Sequence, residues 1–231
     1  MLLLPAVVIA NATRAADSIG GSIGITSDYV VRGISRSNQE PAVQADLHVI
    51  TDRGLLAGLF MSNVQFDAGD KRSAELGAFA GFAWQASSAW RMKTSVSYYG
   101  YVGNDSGSRY DYAELNVEAA YSEWLDLNAE YSPDAPRSVY DRVLTRVAQK
   151  STEVVARTPW RHHLSVSAGF GYSDFGGPGG CGYAYWSAGG VLDLAPASLS
   201  ISYFNAGAGA AALFDGAAVR KRWIATLIWR F

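Results

Sequence analysis

The sequence predicts an all-β protein, a transmembrane antiparallel β-barrel of about twelve strands with short turns on one side and longer loops on the other. Three observations carry that prediction. The chain is poor in charge, at 17% against an average of about 25%. It is also rich in aromatics and glycine, with 13 Tyr, 9 Phe, 7 Trp and 24 Gly in 231 residues. Second, from Ser18 onward stretches of about ten residues alternate apolar and polar with period two and show no sustained helical period; a mean hydropathy of +0.02 fits such a mixture. Third, the connections between these stretches are by turns short and long. The longest apolar run, at the N-terminus, is too short to cross a bilayer as a helix, which excludes a helical membrane protein.

In chain order, residues 1–15 read as an export signal. Leu2 to Ala10 form an apolar core, and Ala10-Asn11-Ala12 supplies the small-x-small pattern for cleavage after Ala12, with a cut after Ala15 as the alternative. No Lys or Arg precedes the run, a departure from the usual basic start of such signals. Residues 16–231 are then the barrel. Trp90, Met92, Thr94, Val96 and Tyr98 alternate with Arg91, Lys93, Ser95 and Ser97. Leu115, Val117 and Ala119 alternate with Glu114, Asn116 and Glu118. Leu125, Leu127, Ala129 and Tyr131 alternate with Asp126, Asn128 and Glu130, and Leu164 to Tyr172 repeats the pattern.

Short turns are expected near Asp52–Gly54, Ala86–Ser88, Ser122–Trp124, Thr158–Arg161 and Ala195–Ala197. Long loops are expected near Gly33–Pro41, Phe66–Ser73, Tyr101–Arg109, Ser132–Tyr140, Ser173–Gly182 and Asn205–Val219. That places both ends of the barrel on the short-turn side, and roughly 215 residues over twelve strands leaves about 18 for each strand and its connection. Trp90, Trp124, Trp160, Trp186, Trp223 and Trp229 are expected as a girdle toward the short-turn side. Between Val139 and Thr158 the apolar phase changes, so a bulge or a partly helical loop is expected there.

The final strand is the clearest. Trp223, Ala225, Leu227, Trp229 and Phe231 share one face, and Arg222, Thr226 and Arg230 the other. Trp223, Leu227, Trp229 and the terminal Phe231 resemble the signal by which barrel-assembly machinery recognises its clients.

Two stretches resemble the Gcw_chp family of exported proteins of Gram-negative bacteria. The first is Thr26-Ser27-Asp28-Tyr29-Val30-Val31-Arg32-Gly33-Ile34-Ser35, followed by Pro41 to Gln44 and by Gly58 to Val64. The second joins Glu75-Leu76 and Gly81-Phe82 to Tyr98–Tyr101 and Tyr112-Ala113-Glu114. Agreement weakens between Asp134 and Pro159 and returns at Trp186–Gly189 and Leu199–Tyr203. The resemblance implies an outer-membrane location and a barrel, and it brings no established activity.

Charge and motif content narrow the function. With 19 Lys+Arg against 21 Asp+Glu, nothing points to nucleic acid. The single cysteine, Cys181, excludes an internal disulfide, and no residue pattern calls for a metal or cofactor. Gly176–Gly180 lacks the Lys-Ser/Thr of a phosphate cradle and reads as a loop tip. Asp28 and Arg32 are expected to face the lumen near the long-loop mouth, with Tyr29 and Val31 on the opposite face and Gly33 turning the chain out of the strand. That pair either ties down the first loop or narrows a solute path. Glu114, Glu118, Asp126 and Glu130 form an acidic wall, and Arg91, Lys93, Arg142, Arg146, Arg222 and Arg230 a basic set. Walls of unlike sign suit a polar-solute channel, whereas salt bridges between them would close it.

The expected activity is therefore passage or binding of small polar solutes in the outer membrane, with membrane lipids and the assembly machinery as partners. The alternatives are a closed structural barrel and a membrane-embedded lipid hydrolase. For the last, His48, His162 and His163 lie near the short turns, away from the rim where a Ser–His dyad would meet lipid. Purified protein is expected to release no fatty acid from phospholipid, and changing each histidine to Ala to leave this unaltered. Hydrolysis that one of these substitutions abolishes would establish the enzyme.

Overall fold

The computed structural model describes residues 17–66, 72–103, 110–139, 143–176, 181–214 and 216–231. The export segment 1–15, Arg142 and Gly177–Gly180 lie outside the described residues. In order the strands are β1 (Ser18–Thr26), β2 (Val30–Val31), β3 (Ile34–Ser35), β4 (Ala42–Ile50), β5 (Leu55–Val64), β6 (Ser73–Gln85), β7 (Trp90–Val102), β8 (Tyr112–Tyr121), β9 (Leu125–Val139), β10 (Val143–Arg161), β11 (Leu164–Phe175), β12 (Cys181–Leu194), β13 (Ala197–Ala206) and β14 (Arg222–Arg230). β1 and β4 to β14 form a closed twelve-stranded barrel, antiparallel throughout. β2 and β3 pair only with each other.

Closure satisfies the backbone groups that an open sheet would leave at its edges. The seam runs from Ser22↔Arg230 to Thr26↔Thr226. Beyond the last strand residue, the Phe231 N–H donates to the Gly21 carbonyl at 3.0 Å, and the Gly21 N–H donates back at 2.9 Å. A side chain at Gly21 would collide with the Phe231 ring and with the Asp46 carbonyl, so glycine here allows the ring to lie across the seam.

Alternation sorts residues as the sequence predicts. Ile23, Leu47, Leu59, Val96, Leu115, Phe170, Ile201 and Leu227 are exposed on the outer face. Gln44, Ser62, Ser95, Asn116, Ser151, Ser173, Ser200 and Thr226 are buried on the inner one. An apolar exterior around a polar interior inverts a soluble protein and matches a barrel solvated by lipid.

Three local expectations are corrected and one, the bulge, is located. First, residues 132–139 of the loop expected at Ser132–Tyr140 are strand, because β9 continues to Val139 and pairs with β10 as far as Val143↔Val139. This part is a two-stranded extension, since β8 pairs with β9 only up to Tyr131 and β11 with β10 only up to Gln149. Its alternation is hidden because the bulge changes the phase, although Ala135 is buried and Val147 packs against the cluster around Ile34. Second, the register shift expected between Val139 and Thr158 occurs where Val147↔Ala135 gives way to Gln149↔Ser132. The extra residue lies on β9, at Pro133-Asp134, so Ser132 and Ala135 are both buried although three apart. Proline suits that position because a bulge leaves an N–H unpaired. Third, Thr158–Arg161 is strand, and the turn is His162-His163. Fourth, Trp186 and Trp223 belong to the long-loop side, where they flank Tyr203 at centroid distances of 5.5 and 5.4 Å. The aromatics thus form a belt at each end of the barrel.

Phe231 is 65% exposed, so its packing is worth about 1 kcal/mol or less. Deleting it is therefore expected to cause a large loss of the heat-modifiable, compact band on gels of isolated membranes only through the recognition role that the sequence suggests for Phe231, since its packing is too small to unfold the barrel. Equal yield of that band from deletion and wild type would remove the assembly role.

Candidate functional site

The lumen at its long-loop end is filled by the connection between β1 and β4. After Thr26 the chain bends inward, its direction fixed where the Thr26 hydroxyl donates to the Asp28 carbonyl at 2.9 Å. Residues 30–35 then make a small hairpin, with Val31↔Ile34 flanking the two-residue turn Arg32-Gly33. Both turn residues have positive φ, 52° and 79°, the pairing that suits a tight hairpin. A side chain at Gly33 would lie 2.9 Å from the Tyr185 Cβ and 3.3 Å from the Ala206 Cβ, so the tip rests on the β12–β13 wall.

Apolar contacts hold the hairpin on several sides. Val30 packs with Phe204 and Ile224. Tyr29 and Val31 pack with Ala42, Phe60 and Val64. Ile34 packs with Phe175, Tyr183, Tyr185 and the loop residues Ala210 and Leu213. Tyr29 and Val31, expected on the face opposite Asp28 and Arg32, are therefore buried inside the barrel as well. Gly33, expected to turn the chain out of β1, instead makes the tip of the hairpin within the lumen.

Polar contacts fix it more specifically. The Arg32 guanidinium crosses the lumen to the opposite wall, where its Nε donates to Glu130 Oε2 at 2.7 Å and its Nη2 bonds the Glu114 carboxylate. Asp28 does not pair with Arg32. It accepts from Arg222 Nη1 at 2.6 Å, from Ser35 Oγ at 2.6 Å and from Ser37 Oγ at 3.0 Å. Sequence reasoning missed a third anchor. Glu75, 1% exposed, accepts from the Tyr29 hydroxyl at 2.8 Å and the Tyr101 hydroxyl at 2.6 Å, and Arg36 Nη1 donates to the Tyr101 oxygen at 2.8 Å. Burial, and then the adjacent Glu75 carboxylate, raise the Tyr29 phenol well above its ordinary value, so it remains a donor.

The remaining predicted site residues are interleaved by sign, not set on opposing walls. Lys93 pairs with Glu118 on the neighbouring strand at 2.5 Å, and Asp126 pairs with Arg157 on its neighbour. Arg91 donates to the Ser122 carbonyl at 2.9 Å. Arg146 leaves the lumen altogether and binds Asp134 on the two-stranded extension. Arg230 lies 3.9 Å from Asp193 at the short-turn end. His48 points inward and bonds Asp46 at 2.8 Å. Among the described residues, no Ser or Thr hydroxyl is hydrogen-bonded to a histidine ring, and no three metal-ligating side chains converge.

Beside and below the hairpin two small cavities of about 20 and 30 Å³ interrupt the packing. Each has room for one or two waters. The first is bordered by Thr26, Gln44, Ser200 and Thr226, the second by Lys93, Ser95, Asn116 and Glu118. The hairpin, with the β13–β14 connection packed on it, obstructs the long-loop end.

Solved structures share this architecture. The KdgM porin in complex with disordered oligogalacturonate is similar over 94% of this chain and 99% of its own, with a TM-score of 0.54 at 8% identity. The NanC porin is similar over 91% and 98%, with a TM-score of 0.54 at 8% identity. The TodX monoaromatic hydrocarbon channel, in a deltaS2 mutant form, is similar over 93% and 89%, with a TM-score of 0.51 at 13% identity. At such identities the likeness is one of fold. No curated protein matches the sequence. The Gcw_chp model, described as a bacterial protein of unknown function, matches residues 10–229, and the chain belongs to that family.

Proposed function

We propose that the protein is an outer-membrane barrel that binds or passes small polar solutes, with the β2–β3 hairpin as the element that closes its lumen. The observation that carries this reading is the division of labour inside the barrel. The wall presents small hydroxyls and amides such as Ser95, Asn116, Ser151, Ser173 and Ser200, which suit a wet path. The obstruction is made by chain that leaves the wall, the connection between β1 and β4 with the β13–β14 connection packed against it at Ala210 and Leu213. A barrel meant only as a scaffold fills its lumen with wall side chains. Porins and channels with this fold support the same reading, and the apolar outer belt supports membrane residence. The closed structural barrel keeps one observation in its favour, the density of ion pairs around the hairpin.

Two measurements test the proposal. The mature chain is expected in the outer-membrane fraction, and recovery as a soluble periplasmic protein would refute membrane residence. In planar bilayers the wild type is expected to conduct weakly. Asp28→Ala, which removes the acceptor shared by Arg222, Ser35 and Ser37, is expected to raise the conductance or the open probability several-fold. Wild type and variant that both carry no current would favour the closed barrel.

A further inference from the structure

We propose that the upper lumen is a recognition site for guanidinium or amine cations, which Arg32 occupies as a tethered ligand; the inference names the solute class for the barrel proposed above. Four inward carboxylates lie on neighbouring parts of the wall, namely Glu75 on β6, Glu114 on β8, Glu130 on β9 and Glu153 on β10; Glu75, Glu114 and Glu153 are buried and Glu130 is half-buried. The cations that answer the first three, Arg32 and Arg36, both arrive on the β1–β4 connection. Arg222, on β14, is committed to Asp28 of that same connection. With the hairpin displaced, this stretch of wall is strongly acidic.

Arg32 shows what the wall accepts. A planar guanidinium is held between Glu114 and Glu130 on adjacent strands, with Nε and Nη2 both reaching Glu130 Oε2 and Nη2 also bonding Glu114, charge-assisted contacts that a guanidinium supplies from more than one nitrogen. Around it are buried polar groups that Arg32 leaves unanswered. Glu153, 6% exposed, has no hydrogen-bond or ion-pair partner among the described residues. It pairs across β10–β11 with Gly171, over which the Tyr185 ring lies, and the Tyr185 hydroxyl, 4% exposed as a residue, is also without a partner. Asn116, cross-strand neighbour of Glu130, has its Oδ1 unpaired although the residue is 4% exposed. The Glu153 carboxylate and the Asn116 Oδ1 are thus acceptors that no hydrogen bond answers, and unanswered acceptors in a low-dielectric space attract a second cation. The site is thus larger than the one guanidinium it holds, as expected for a cation bearing more than one donor group. A polyanion such as the oligogalacturonate held by the KdgM porin would meet repulsion here.

The test uses the full barrel and two variants. Arg32→Asn keeps a residue that tolerates the positive φ of the turn and removes the tethered cation; Glu114→Gln with Glu130→Gln removes the wall's charge. Two readouts are made, the reversal potential across a KCl gradient and the temperature at which the compact gel band is lost, with agmatine or methylguanidinium chloride as probe and sodium glucuronate as the anionic control. For Arg32→Asn a preference for K⁺ over Cl⁻ on the order of tenfold is expected, since lumen potentials reach several kT. Millimolar agmatine is expected to block that current and raise the melting temperature, with glucuronate inert and the double Gln variant insensitive to both. Anion preference or no preference in Arg32→Asn would overturn the cation site while leaving a channel standing. Absence of current in every variant would refute the channel, and the melting shift would then decide the cation site alone: stabilisation of Arg32→Asn by agmatine supports it, and no shift overturns it.

Discussion

A chain that crosses an apolar layer as strands must pair every backbone polar group with another strand, and only a closed ring does so. The seam between β1 and β14, finished by the reciprocal bonds of Gly21 and Phe231, is the closing contact of that ring. Closure by period-two strands then divides the side chains into an apolar outside and a polar inside. In a twelve-stranded barrel the inside is narrow, and any carboxylate that points inward needs a cation or water within reach.

The hairpin meets that need for the upper half. Arg32 neutralises Glu114 and Glu130, the Asp28–Arg222 pair ties the hairpin's base to β14, and Tyr29, Tyr101 and Arg36 satisfy Glu75. Such pairs are costly to break from one side, on the order of 3–5 kcal/mol when a buried partner is left uncompensated. They are not a large source of net stability, because desolvation offsets much of the attraction. Their effect is to set one position for the hairpin. That position also fixes the chemistry of the lumen, since the same groups that hold the connection in place would confront any solute replacing it.

Much of this architecture is legible in the sequence. β7, β8 and β14 alternate cleanly because one face meets lipid and the other the lumen, and the charged residues named from their phase, Lys93, Glu114, Glu118 and Arg222 among them, do point inward. Where the environment is not two-sided, alternation carries no information. Residues 135–139 pair with β10 but no longer with β8, and the bulge at Pro133-Asp134 shifts their phase, so Pro133, Asp134 and Pro136 read as loop although the chain stays extended. Tyr29-Val30-Val31 is a run of apolar residues without alternation, which signals burial on both faces; read with the period of a barrel strand, it sent Tyr29 and Val31 to the outer surface. Glu75 is not legible as an anchor because, beside its cross-strand neighbour Tyr101, its partners Tyr29 and Arg36 come from the β1–β4 connection, a convergence that only the inward fold creates. Trp186 and Trp223 were assigned to the wrong rim because each sits at mid-strand or at a strand start, where sequence position alone does not say which end of the barrel is nearer.

The central claim is that residues 28–37 fold into the lumen and seat the hairpin tip against β12 and β13. The turn residue Arg32 is tied to the far wall through Glu114 and Glu130, so a double-mutant cycle reads its position without adding bulk. Arg32→Asn and Glu114→Gln are each expected to lower the temperature at which the compact gel band is lost, and the double variant to fall no further than the worse single one, because an uncompensated buried partner is what costs stability. Losses that simply add in the double variant would show that Arg32 does not reach this wall and contradict this account of the lumen.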